Sequence, residues 1–269
     1  MDSRLQLRVQ RYGWDRASTR YEALWHEALA PATHGALRLA RLQPGERVLD
    51  VACGSGVLTR AALAAVGPQG EAVGCDVSAG MVAVAQATSI GCHFLRTDAQ
   101  AVGDVLPPDH FDVVLCGLGL MYMPDPEASL AAMVRCLRPG GRLVVSVWGE
   151  RSACGWSGVF PIVDARVQSE VCPMFFRLGG GDTLRTALAG AGLLQVHTER
   201  IATTIDYADA TTACDAAFEG GPVALAYGRF DAPTREAVRN EYLDSLQRWA
   251  REDGFALPGE FVLGMGGRA

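Results

Sequence analysis

The chain has 269 residues, 49% hydrophobic and 20% charged, which is enough apolar material for a substantial core. Its net charge of −6 argues against nucleic acid as a partner, because phosphate binding needs a basic face. All 24 basic residues are arginine, which excludes a lysine Schiff base and a phosphate-loop lysine.

Tyr21, Leu24, Trp25, Ala28 and Leu29 fall at i, i+3, i+4, i+7 and i+8, which predicts an amphipathic helix over 17–29. A second, short helix follows Pro31 and ends near LQPGE. An alternation begins at Arg47. Strand 47–51 leads to a helix after Gly56, and strand 71–75 to a helix capped by Ser78. A short strand over 92–96 and the apolar run FDVVLC over 111–116 follow. The next helix opens at Asp125 as N-cap with Pro126 at N1 and Glu127 in the first turn, and stops at Pro139-Gly140-Gly141. Strand RLVVSVW covers 142–148. Five apolar strands at crossover spacing predict an α/β fold: a Rossmann-like, doubly wound, mostly parallel sheet with helices on both faces.

After Trp148 the rhythm breaks. Residues 151–181 read as irregular or partly helical, followed by a helix over 182–191 and a strand over 193–204. DYADATTACDAAFEGG is expected to be helical. A long helix over 233–251 carries Val238, Tyr242, Leu246 and Trp249 on one face, and the chain closes with a strand. No repeat or linker interrupts this order, so one domain is expected: a helical cap over 1–42, a core over 43–150, and substrate-side insertions with the last strands over 151–269. The N-terminus has no apolar signal core, and no apolar run reaches the ~18 residues of a membrane span. The expectation is a cytoplasmic protein. The eight cysteines contain no C-x-x-C pair and read as free thiols, with no metal site indicated.

The chemistry begins at RVLDVACGSGVLTRAAL, residues 47–63. A dinucleotide loop wants a small third residue after G-x-G, and here that position is Thr59. Asp50 at the strand end would repel a pyrophosphate but favour a ligand with a cationic amine, while Gly54 and Gly56 would let the backbone approach it. Asp76 ends the second strand, where a carboxylate can accept both hydrogens of a ribose diol. Asp98 after the third strand is the right type to accept from an adenine amino group, with Ala99 leaving room for the ring.

VLDVACGSG, Asp76, TDA and FDVVLCGLGLMYMPDPEASLAAMVRCLRPGGRLVVSVW together resemble the class I S-adenosylmethionine-dependent methyltransferases, in the small-molecule branch that includes quinone-biosynthesis enzymes. The resemblance covers about 40–150. It implies S-adenosyl-L-methionine as cofactor and a site of Tyr21, Asp50, Ala52, Cys53, Gly54, Gly56, Asp76, Val77, Met81, Asp98, Ala99 and Cys116. Ala52 departs from the family loop, which often has a third glycine there. By the same analogy the last strand, 260–266, would insert antiparallel at the sheet edge, completing seven strands.

Methyl transfer is an in-line displacement for which orientation alone can supply ~7–11 kcal/mol, so the resemblance names no shared catalytic group. The turn CGLGLMYMPD lacks the N/D-P-P-Y/F of enzymes that methylate exocyclic or amide nitrogens. A small apolar or aromatic acceptor is expected, against Leu118, Tyr122, Trp148, Trp156, Phe160 and Phe175; Met121 packs helix to sheet about as readily. His26, His34, Glu150 and Asp164 are base candidates, none assigned. A non-methylating, cyclase-like use of the cofactor and a NAD(P)-linked oxidoreductase are the alternatives, and a homodimer is left open.

Overall fold

The computed structural model describes residues 3–168, 172 and 174–269. It opens on one helix, α1 (Ser3–Ala40), which runs through Pro31 where two helices were expected. A proline inside a helix costs ~3 kcal/mol. Burial of Trp25, Ala32, Ala36 and Leu39 on either side of it offsets that cost, since a large apolar side chain contributes ~1.5–3 kcal/mol. Gly35 lets the helix lie close on the sheet, for a Cβ there would meet the Leu263 side chain at 2.5 Å.

The alternation then follows the sequence: β1 (Arg47–Val51), α2 (Val57–Val66), β2 (Glu71–Asp76), α3 (Ala79–Thr88), β3 (His93–Arg96), the single turn α4 (Val102–Val105), β4 (Phe111–Gly117), α5 (Pro126–Cys136) and β5 (Leu137–Trp148). The expected caps are made. Ser78 accepts from the Met81 N–H at 3.1 Å, and Asp125 from that of Ala128 at 2.8 Å. Val48, Leu49, Val113, Val114 and Val145 are fully buried, as strands covered on both faces must be.

Between 151 and 181 short 3₁₀ turns flank α6 (Val159–Asp164); residues 169–171 and 173 of that stretch lie outside the described set. The chain continues through α7 (Thr183–Gly190), β6 (Leu194–Tyr207), α8 (Ala210–Glu219), α9 (Ala224–Tyr227) and α10 (Ala232–Leu246). Val238, Tyr242 and Leu246 form the buried face of α10, whereas Trp249 falls in a terminal 3₁₀ turn. A two-residue strand, β7 (Ala250–Arg251), and β8 (Gly254–Gly267) complete it.

The strand order is β3-β2-β1-β4-β5-β8-β6, with β7 beside β8. The strands from β3 to β5 are parallel, and β8 is antiparallel to both β5 and β6. The last strand is therefore not the edge expected for 260–266. It starts at Gly254 and lies between β5 and β6. Leu257, Phe261 and Leu263 are fully buried there, a pattern that needs a neighbour on each side, while β6 alternates exposed and half-buried residues and suits an edge. The order reverses between β1 and β4, which opens a crevice at the carboxyl ends of these strands.

Candidate active site

The loop after β1 is shaped by three left-handed residues, Ala52 (φ 57°), Gly54 (φ 53°) and Gly56 (φ 82°). Alanine in this region is uncommon, and Ala52 is held there by the Cys53 N–H, which donates to the Cys75 carbonyl at 3.0 Å. Gly54 donates its N–H to Asp76 Oδ2 at 3.0 Å, and Ser78 donates its own to Asp76 Oδ1 at 2.8 Å. Asp76 thus ties the tip of the first loop to the start of α3. It keeps 8% of its surface exposed toward the crevice, and burial pushes its carboxyl up to about 6.

Asp50 corrects the expectation. It is 1% exposed and lies beneath the loop, outside every cavity wall. The Thr59 hydroxyl donates to its Oδ2 at 2.6 Å, and burial raises the carboxyl to about 7. Asp50 therefore braces loop against α2 and does not face a cationic ligand. Thr59, the residue that breaks the dinucleotide pattern, is its partner. Gly56 is also structural: a Cβ there would meet Ser89 Oγ at 2.8 Å and both Ala85 and Phe94 at 3.1 Å. Its lack of a side chain serves the approach of α3 and β3, not of a ligand. Cys116 is buried in β4 behind the crevice, its thiol pushed up to about 12 by burial, and it lines no cavity.

Three cavities open along the crevice. The first, about 720 Å³, is walled by Tyr21, Ala52, Gly54, Asp76, Val77, Met81, Asp98, Ala99, Leu118 and Tyr122. Eight of these stand at strand ends or in the connections that follow them, Met81 lies in the first turn of α3, and Tyr21 reaches over from α1. Asp98 spends Oδ1 on the Gln100 N–H at 3.1 Å and faces the cavity. The second, about 590 Å³, lies between the β1 loop and α1, with Glu22, His26, Ala52, Cys53, Gly54, Ser55 and Leu118 on its walls. The third, about 510 Å³, is lined by Trp25, Trp148, Trp156, Val159 and Phe160, and closed by Ala216 and Ala217 of α8 and by Gly221, Pro222 and Val223 beyond it. Tyr21 and Leu118 wall all three.

Trp148, Trp156 and Phe160 thus line a cavity and also pack together, with Trp148 and Trp156 ring centroids 4.9 Å apart. Phe175 does not line it. It is fully buried behind the wall, 5.1 Å from the Tyr122 ring, and acts as backing. Met121 is buried packing. His34 is exposed on α1, and Glu150 and Asp164 stand on no cavity wall; Glu150 accepts from the Gly181 N–H at 3.3 Å. Of the four base candidates only His26 reaches a cavity, the second. Burial holds the hydroxyls of Tyr21 and Tyr122 protonated.

Several site residues were missed. Leu7, Gln10 and Trp14 line the first cavity, Trp14 set edge-on to Tyr21 at 5.5 Å and to Tyr122 at 5.0 Å. Their spacing with Tyr21, at 7, 10, 14 and 21, continues one helix face and was the available signal. Asp15 on α1 accepts from the Ser78 hydroxyl at 2.7 Å and the Gly80 N–H at 3.0 Å, fixing α1 over the start of α3. Glu22 pairs with Arg60 of α2.

The crevice fits S-adenosylmethionine in its own atoms. Two carboxylates, the buried Asp76 with 8% of its surface open and Asp98, line the first cavity, and Gly54 leaves open the space a Cβ would narrow toward Tyr21. Residues 48–141 match the family described as methyltransferase domain. A ubiquinone/menaquinone biosynthesis C-methyltransferase UbiE of Ectopseudomonas mendocina is 38% identical over 115 residues, 40% of this chain and 44% of that protein. The chain thus spans less than half the length of the curated relatives it matches. Among solved structures, phosphoethanolamine N-methyltransferase 2 of Haemonchus contortus in complex with S-adenosyl-L-methionine shares the fold. It has a TM-score of 0.59 at 15% identity, over 94% of this chain and 57% of that one. The [4+2]-cyclase SpnF shares it too, at a TM-score of 0.54 and 21% identity over 91% and 83%. Among the described residues no helix is long and apolar enough to cross a membrane. The methyltransferase-domain match thus spans residues 48–141, β1 through the first part of β5, and the strand order around it is that of the fold these solved structures share.

Proposed function

We propose that the protein moves a methyl group from S-adenosylmethionine to a small, flat, apolar or aromatic metabolite. The observation that carries this is the meeting of three cavities at Tyr21 and Leu118. In this reading Asp76 accepts from the ribose hydroxyls, while Asp98, Val77, Met81 and Ala99 hold the base in the first cavity. The second cavity, with Glu22 and Ser55, takes the amino-acid end, and the third takes the acceptor. When bound, the cofactor supplies an electrophilic methyl on a sulfonium.

The protein's part is positioning and exclusion of water. Leu118, itself left-handed at φ 58°, and Tyr21 form the shared wall between cofactor and acceptor, and the rings of Trp14 and Tyr122 close the same side. A cation beside these faces gains about 0.5–2 kcal/mol. The walls of the third cavity carry no carboxylate, histidine or arginine, so the acceptor brings its own nucleophilicity. That same lack of a base favours one second reading, a cyclase-like use of the bound cofactor.

Calorimetric titration with S-adenosylmethionine, S-adenosylhomocysteine and NAD tests the cofactor. Micromolar binding of the first two, about 8 kcal/mol, without NAD is expected; NAD alone would refute it. Tritium transfer from methyl-labelled cofactor to a panel of hydroxylated aromatics then separates methylation from the cyclase-like reading.

A further inference from the structure

A fourth cavity, about 630 Å³, lies among α1, α8, α9 and α10 and shares no wall residue with the other three. Its polar wall is Arg16, Thr19 and Arg20 of α1, Glu219 of α8, Tyr227 of α9 and Arg235 of α10. The charges on it do not cancel. Arg20 pairs with Glu219 and, at 2.9 Å, with Asp215, which pairs in turn with Arg239 at 3.0 Å. That chain of two arginines and two carboxylates is neutral in itself, and Arg16 and Arg235 are left over. Among the described residues Arg16, exposed on α1, makes no hydrogen bond or ion pair. Arg235 has no carboxylate partner: its Nη2 donates to the Gly228 carbonyl at 2.9 Å, and its guanidinium lies over the Tyr227 ring at 5.4 Å. Its Nε is buried, so Nη1 is the donor it has left for the cavity. Both guanidiniums converge on Gly228, where a Cβ would collide with Nε, Cζ and Nη2 of Arg16. Two like charges brought together repel unless an anion sits between them. The chain's net charge is −6, so this local excess of cation is set by the fold and not by composition.

We propose that this cavity binds a phosphate group, either inorganic phosphate or the terminal monoester of a larger metabolite, held between Arg16 and Arg235. Two guanidiniums from different helices match the two charges of a phosphate dianion, whereas one carboxylate would leave a positive charge over. Glu219 does not oppose the anion, because Arg20 neutralises it. The Thr19 hydroxyl adds a donor on the same wall. A phosphate held this way ties α1 to α10 across the end of α9, next in sequence to the Gly221–Val223 wall of the third cavity. The inference is independent of what the other three cavities bind.

The test is calorimetric titration of the protein with inorganic phosphate and with phenyl phosphate, at an ionic strength fixed with sodium chloride. Wild type is expected to bind at least one of them in the submillimolar range. Arg16→Gln removes no hydrogen bond or ion pair of the fold, so it should melt like wild type yet bind about tenfold more weakly, the loss of one charge-assisted pair. Arg229→Gln removes an exposed arginine that is off the wall and should bind like wild type. Tighter binding of phenyl phosphate supports a phosphorylated metabolite as the source, and equal or tighter binding of inorganic phosphate supports the free ion. Hydrogen exchange over 224–228 should slow when the bound probe is added to wild type and stay unchanged in Arg16→Gln. No binding of either probe, full binding by Arg16→Gln, equal weakening by Arg229→Gln or unchanged exchange in wild type would each overturn the proposal.

Discussion

Gly54 and Gly56 stand two residues apart in one loop, both left-handed, and the structure gives them opposite duties. An alanine at either position pays ~1–2 kcal/mol for its backbone. At Gly56 the new methyl also enters packed ground, 2.8 Å from Ser89 Oγ and 3.1 Å from Ala85 and Phe94. Overpacking of that kind costs ~1–3 kcal/mol, so Gly56→Ala should lose roughly 2–5 kcal/mol in all. For a chain of this size that is a fall in Tm of about 5–15 °C. At Gly54 the methyl finds only Tyr21 Cε1, at 3.8 Å, and otherwise faces the first and second cavities. Gly54→Ala should melt within a few degrees of wild type but bind S-adenosylmethionine at least tenfold more weakly. Calorimetric melting and cofactor titration of the two variants measure both. If Gly56→Ala melted like wild type, or Gly54→Ala bound the cofactor normally, the division of labour argued here would be wrong.

Asp76→Asn removes one charged acceptor and should weaken S-adenosylmethionine by about 10–100-fold, near 1.5–3 kcal/mol; unchanged titration would remove the ribose from Asp76. Burial raises Asp50 to about 7 and Asp76 to about 6, so between about pH 4 and 7 the folded chain keeps protons that the unfolded chain has released. Their contribution to stability is complete at low pH and is lost as pH rises through about 7. Asp50→Asn, which mimics the neutral acid, should therefore raise Tm more at pH 8 than at pH 5, where only part of the contribution has been lost; an equal effect at both would count against a protonated Asp50. Asp15→Ala deletes the acceptor for Ser78 and Gly80 and should speed hydrogen exchange along the first half of α1 by about tenfold or more. Exchange at the wild-type rate would show that α1 is held elsewhere.

The parallel core was legible because β1, β2, β4 and β5 are covered on both faces and so appear as unbroken apolar runs. Asp76, Val77, Asp98 and Ala99 could be placed because the carboxyl ends of such strands share one edge of the sheet. Asp50 was misread for a related reason. It precedes the last residue of β1, and one step along a strand turns a side chain to the other face, here toward Thr59 of α2. Proline-based punctuation failed at Pro31 because burial of Trp25 and Leu39 outweighs a local penalty. The far wall of the third cavity, 216–223, follows from the chain's return after β6, and no local pattern encodes that distance. Phe160 and Phe175 show the same limit: one lines the cavity and the other backs it, with nothing in residue type to tell them apart.

The cavities are unevenly distributed along the chain, and this sets what can change independently. The methyltransferase match ends at 141. Apart from Leu118, Tyr122 and the α1 residues, every wall of the third cavity comes later, from Trp148 to Val223. On the proposed assignment, a lineage could rewrite 148–223 and acquire a new acceptor while its cofactor site passed through untouched. Helix α1 escapes that freedom. Tyr21 lines all three cavities, and Trp14 two, so a change on that face would reach several of these spaces at once. Divergence should run fast in the late chain and slowly along one stripe of the first helix.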